Sequence, residues 1–260
     1  MELRDFARTV LEAEDLAVKL APPHEALTDE QPGPAFRADG PGRPPALRLV
    51  EGVKAEVPSC EGMPDPAQRR RILHGLANHE LQAAELFAWA LLAFPDTPPG
   101  FRRGLAHILQ DEQRHTRMYI ARLEDTGVCF GDLPVNFYFW KKTIHIHSPL
   151  DFICAMSLTF ENANLDHTVD YEEAARRAGD PKTAAVIEQI HRDEIEHVRF
   201  GWTWLHRWKG EDESAWDVWR SHLTWPLRPL RARGSTFYRA GREAAGLDAE
   251  FIRRLEESER

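Results

Sequence analysis

Apolar residues recur at helical spacing along most of the chain, and the breaks between the periodic stretches define the elements. Residues 2–20 place Leu3, Phe6, Val10, Leu11 and Val18 on one face, which predicts an amphipathic helix docking on the main body. Residues 21–66 lose the period and hold ten of the 18 prolines, so they form neither a regular helix nor a central strand. Such a stretch is either a disordered linker or an extended arm wrapping the rest. The arm is preferred, because Phe36, Leu47, Leu49, Val50 and Val53 would be wasted as anchors in a free linker.

Four long periodic stretches follow, each opened by a capping residue and a proline: Asp65-Pro66, Thr97-Pro98, Ser148-Pro149 and Asp180-Pro181. Proline at the first helical position loses nothing, since its missing N–H would have had no helical acceptor. Pro95, Gly127, Gly179 and Gly210 mark the ends. The predicted helices span about 66–94, 98–126, 149–178 and 181–209. Short links at 95–97 and 179–180 make each pair an antiparallel hairpin, and 127–147 is a long crossover carrying Phe137, Tyr138, Phe139 and Trp140. Beyond Gly210, Trp216, Trp219 and Trp225 predict a short docking helix. Arg228, Arg231, Arg233, Arg239 and Arg242 with nearby prolines predict an irregular basic arm, and a last helix covers about 247–258. The expected organisation is a helix and arm at 1–65, a four-helix bundle at 66–210 and an aromatic and basic extension at 211–260.

The core faces of these helices carry charge. The first aligns Leu73, Leu76, Glu80, Ala83, Ala84 and Phe87; the second Leu105, Ile108, Glu112, His115 and Tyr119. The third aligns Cys154, Leu158, Glu161, Leu165 and Thr168; the fourth Ile187, Ile190, Glu194, His197, Gly201 and Trp204. The pattern Asp-Glu-x-x-His thus occurs twice, at 111–115 and 193–197, each time preceded by a lone glutamate 32 or 33 residues upstream. Each motif glutamate lies 12 to 14 residues past its helix-opening proline. At about 1.5 Å per residue, all four sit roughly 20 Å into their helices. Carboxylates in apolar stripes are costly, and four at one depth repel one another unless cations join them.

Glu80, Glu112, His115, Glu161, Glu194 and His197 are therefore the candidate ligands of a dinuclear metal site, with Glu112 and Glu194 bridging. Glu85 is the rival to Glu80 but falls on another face. Asp111 and Asp193 are candidates to accept the second N–H of the ligand histidines, the alternative being exposed aspartates. Tyr119 and Asn164 are pocket candidates. Glu188, Glu196, His79, His107, His145, His147 and His191 are read as surface or supporting residues. An oxygen-rich shell with two imidazoles suits two iron ions, or manganese or a mixed pair, better than zinc.

Composition narrows the setting. A net charge of −9 does not favour a nucleic-acid partner. Cys60, Cys129 and Cys154 show no paired spacing. The charged N-terminus does not resemble a signal peptide, and no apolar run reaches membrane-span length, so a reducing, cytoplasmic setting is expected.

These motifs resemble the ferritin-like superfamily over about 66–209. His79-Glu80-Leu81-Gln82-Ala83, Phe94-Pro95-Asp96, Asp111-Glu112 with His115, Gly131-Asp132-Leu133-Pro134 and Asp193-Glu194 with His197 are similar to a bacterial ferritin-like family of unassigned function. The resemblance implies an all-α fold: a ferritin-like four-helix bundle with long crossover, flanked by the N-terminal helix and arm and the C-terminal extension. It implies the six ligands named above, and metal rather than a reaction. Two classes follow. One is a di-iron oxidoreductase using O2 to hydroxylate or desaturate a small organic substrate, with an external electron donor, since no flavin, nicotinamide or iron–sulfur motif is present. The other is iron handling by ferroxidase or peroxide-scavenging chemistry. A hydroxylase of a modified tRNA base is a subset of the first, suggested by the basic arm at 228–242. A homodimer is compatible with either.

Overall fold

The computed structural model describes residues 1–48, 50, 52, 55–224 and 226–258. Among them the secondary structure is helical, with no strand beyond one isolated bridge between Glu2 and Thr28. The fold class is all-α. The chain divides into two compact units, Met1–Thr143 and Ile144–Arg260.

The first unit is built on α3 (Pro66–Ala93) and α4 (Pro99–Glu124). Asp65 caps α3 by accepting the Ala67 and Gln68 amides at 2.8 and 2.9 Å, with Pro66 at the first helical position. From Glu80 to Pro95 every residue is buried, so this helix is the axis of the unit. The second helix starts one residue later than the sequence suggests. Pro99 holds Pro98 in extended backbone (ψ 141°), so Pro98 is the cap, and the Thr97 hydroxyl instead donates to the Phe94 carbonyl. It ends at Glu124, ahead of Gly127, whose φ of 78° turns the chain.

The predicted helix over 2–20 is two helices, α1 (Leu3–Glu12) and α2 (Leu16–Leu20). Asp15 restarts the chain by accepting the Ala17 and Val18 amides at 2.7 and 3.1 Å. The break keeps Leu3, Phe6, Val10 and Leu11 buried but turns Val18 outward, 49% exposed. It also carries Lys19 inside, where its ammonium donates to the Val10 and Leu11 carbonyls.

The described residues of the proline-rich segment run as an arm held more by polar contacts than by the expected apolar anchors. Leu47 is buried in a cluster with Leu20, Leu81 and Val135, while Val50 is 59% exposed; Leu49 and Val53 lie outside the described residues. The Phe36 amide donates to the Leu92 carbonyl, Trp89 Nε1 donates to the Ala38 carbonyl, and Arg102 grips Asp29. Arg43 reaches Glu85 through two bonds of 2.9 and 2.7 Å and Asn78 at 2.9 Å. Trp140 is buried and its indole donates to the same Glu85 at 3.0 Å. No hydrophobic pattern announces this cluster, because the arm and the crossover each bring a partner to α3 from far along the chain.

In the second unit, α5 (Pro149–Ala155), a π-helical turn at Met156–Glu161 and α6 (Asn162–Arg177) form one continuous run. The sequence reading expected uninterrupted α-helix here. A π-turn displaces the ladder by one residue, and side chains secure the result. Thr159 Oγ1 donates to the Cys154 carbonyl at 2.7 Å, and Trp219 Nε1 lies 3.3 Å from both oxygens. Ser148 and Asp151 form a reciprocal capping box at the start of α5. After Gly179 (φ 72°) the chain returns as α7 (Pro181–Trp208), capped by Asp180.

The C-terminal segment adds α8 (Ala215–Ser221), α9 (Arg239–Ala245) and α10 (Ala249–Glu256). Trp216 and Trp219 are buried against Phe251; Trp225 lies outside the described residues. The expected irregular basic arm is only partly so. Its end is helical, and Arg242 is wholly buried, with Nη1 and Nη2 bonded to Asp166 at 2.7 and 2.9 Å. Asp166 also accepts the Gly234 and Tyr238 amides, which stitches the C-terminal chain onto α6.

Candidate metal centre

Each unit holds a buried half-site of the same composition. In the first, α3 presents Glu80 while α4 presents Glu112 and His115 one turn apart. All three are at most 4% exposed. His115 Nδ1 lies 3.6 Å from a Glu80 oxygen and 3.7 Å from a Glu112 oxygen. The three ligand atoms fall within 4.8 Å of one another. In the second unit, Glu161 closes the π-turn, while α7 presents Glu194 and His197. His197 Nδ1 lies 3.8 Å from a Glu161 oxygen and 3.8 Å from a Glu194 oxygen.

These separations discriminate between two uses of the same residues. They exceed the roughly 2.7–2.9 Å of a charge-assisted hydrogen bond. Donors that each sit about 2.1 Å from a shared ion are roughly 3–4 Å apart. The chemistry agrees: two carboxylate oxygens and one imidazole nitrogen converge in a dry place on each side. Buried Glu/His groups of this kind can hold a metal ion.

The electrostatics of the site point the same way. Burial is the main cause that pushes the Glu80 carboxyl up to about 8, the negative Glu112 adds to it, and the nearby His115 opposes both. A carboxyl in this state is a costly tenant without a cation.

The remaining sequence candidates sort by what they touch. Asn164 Nδ2 donates to Glu194 Oε1 at 3.0 Å, which orients that carboxylate. Tyr119 is buried one turn beyond His115. Asp111 is nearly buried and pairs with Arg114 on its own helix at 2.8 Å, with His107 at 3.7 Å. Asp193 accepts from Gln189 at 3.1 Å. Glu85, the rival to Glu80, is committed to Arg43, Lys19 and Trp140. Glu188 and Glu196 pair with surface arginines. His191 faces the Thr168 hydroxyl at 2.8 Å.

Sequence reasoning missed the support beneath Glu161. A side chain at Gly201 of α7 would place its Cβ 2.4 Å from the Ser157 Cβ, inside the π-turn. A glycine within an aromatic helix was the available signal, and its meaning needed the neighbour.

The family model described as "Protein of unknown function (DUF455)" matches residues 5–253, and the chain belongs to that family. Comparisons with the curated proteins and with the solved structures found no match. Among the described residues, no helix is long and apolar enough to cross a membrane.

Proposed function

We propose that this DUF455 protein is a non-haem di-iron oxidoreductase that uses O2 to hydroxylate or desaturate a small organic substrate. The observation that carries it is the duplication: a buried glutamate and a Glu-x-x-His pair occur in each half of the chain, and in each the imidazole lies 3.6 to 3.8 Å from both carboxylates. On this reading the four long helices within 66–210 form a ferritin-like bundle with a long crossover. Each half-site would hold metal through its own two glutamates and its histidine. Residues 1–65 and 211–260 flank the bundle.

When bound, two iron ions supply the redox capacity for O2 chemistry, with manganese or a mixed pair as the alternative metals. The chain supplies the surroundings. Glu80 and Glu161 would serve as terminal ligands, and His115 and His197 would each hold one metal. Asn164 holds Glu194 by one oxygen and directs the other toward the centre. Glu80 releases its proton on metal binding. The apolar stripes around the ligands exclude water. Electrons come from an external donor.

The test is anaerobic loading with ferrous iron followed by air, with bound metal counted and the optical spectrum recorded, and with Glu112→Ala as control. About two irons per chain, lost in the variant and with little further uptake, support the reading. Continued oxidation of many irons per chain indicates storage. No specific binding of iron or manganese leaves a bundle of buried ion pairs and sinks the proposal.

A further inference from the structure

The chain has a net charge of −9, yet one concave face of the second unit is strongly basic. Its lining includes Trp216 and Arg220 from α8, Arg228 from the following loop, and Arg253, Arg254 and Glu257 from the end of the chain. Four guanidinium groups meet one carboxylate in a depression of about 450 Å³, a size suited to a small ligand. These arginines come from three separate segments, so helical periodicity did not gather them.

The surroundings of Arg220, Arg253 and Arg254 leave these three able to receive an anion. Arg254 stacks on Trp216 with its guanidinium carbon 5.0 Å from the ring centroid, which fixes its plane. Its ion pairs with Asp217 and Glu250 are long, both 3.6 Å. Arg253 pairs with Glu257 one turn away on the surface, an interaction that solvent weakens and a stronger ligand displaces. Arg220 makes no ion pair among the described residues. Planar, permanently charged forks on several sides of a pocket match the oxygens of a phosphate group better than a point charge does.

We propose that this pocket binds the phosphate group of a small anionic ligand, such as a phosphomonoester or a diphosphate. The site is separate from the metal ligands and stands whether or not the oxidoreductase reading holds. A phosphate carried by RNA presents the same chemistry, but the depression suits one small group, and the acidic chain as a whole repels a polyanion.

The experiment is isothermal titration of the full-length protein, as purified, with inorganic phosphate, pyrophosphate, phenyl phosphate and a single-stranded RNA 12-mer. The variants are Arg220→Gln and Arg253→Gln, with Arg192→Gln on the exposed face of α7 as control. Thermal melts verify folding, and because both pocket arginines are exposed, two independent variants guard against a misfolded one. The expected result is saturable binding of pyrophosphate or phenyl phosphate, weakened about tenfold or more in each pocket variant and unchanged in the control. Three results overturn the proposal: no binding of any probe, phosphate binding insensitive to both pocket variants (as at a metal centre), or RNA bound far more tightly than pyrophosphate.

Discussion

Gly201 stands so close to Ser157 that an added Cβ would lie 2.4 Å from the serine's own. Ser157 belongs to the π-turn that ends on Glu161, and Gly201 lies one turn beyond His197. One close backbone approach therefore sets how a glutamate and a histidine of the same half-site face each other. Gly201→Ala should destabilise the protein by about 1–3 kcal/mol through overpacking and should weaken metal binding as well. Ser157→Gly in the same chain removes the colliding atom and should recover most of the metal affinity. Denaturant melts and metal titration of the single and double variants check both effects.

The Glu85 cluster gives an outcome of the opposite kind. Glu85 is fully buried and pairs with both Arg43 and Lys19, and burial lowers the Lys19 ammonium below its ordinary range even beside this carboxylate. Glu85→Ala leaves two buried cations without their carboxylate, which should cost about 3–5 kcal/mol. Because the cluster lies on a different face of α3 from Glu80, the folded fraction should retain its metal stoichiometry. Urea unfolding together with metal analysis at low temperature separates the two.

Asn164 acts through Glu194. Asn164→Ala removes the bond that fixes the carboxylate and should reduce metal affinity about 10- to 100-fold, with little loss of stability because the side chain is half-buried. Competition against a chelator measures the affinity. Asn164→Asp offers an acceptor where a donor is needed and should be no better than alanine.

His74 predicts a pH dependence. It is buried, its Nε2 accepts the Gly131 amide at 3.0 Å, and burial depresses its pKa from 6.5 to about 4, against a smaller opposing pull from Asp132. The unfolded chain therefore takes up a proton more readily than the folded one. Stability contributed by neutral His74 is complete above about pH 6.5 and is lost as pH falls from there toward 4. Chemical denaturation at pH 7 and pH 5 should show a smaller pH difference in His74→Gln, which keeps an acceptor for the amide but cannot titrate.

The helices and their apolar stripes were legible along the chain. Proline after a capping side chain leaves few alternatives to a helix start, so the openings at Pro66, Pro149 and Pro181 were legible, and Thr97 misled only because two prolines follow it. In the four long helices, all the core-face positions read from periodicity, the six motif residues included, are buried, because a helix fixes which residues share a face. The Glu-x-x-His spacing likewise brings Glu112 near His115 and Glu194 near His197 without help from anything distant.

What depends on partners far along the chain emerged only when the segments packed. That Glu85 is neutralised required Arg43 from the arm and Trp140 from the crossover. That Arg242 is buried rather than exposed on a basic arm required Asp166, 76 residues earlier. The π-turn before Glu161 is secured by Trp219 and admitted by Gly201, and no local propensity encodes either contact. Periodicity reports which side of a helix is apolar; which atoms meet that side is set only when the segments pack.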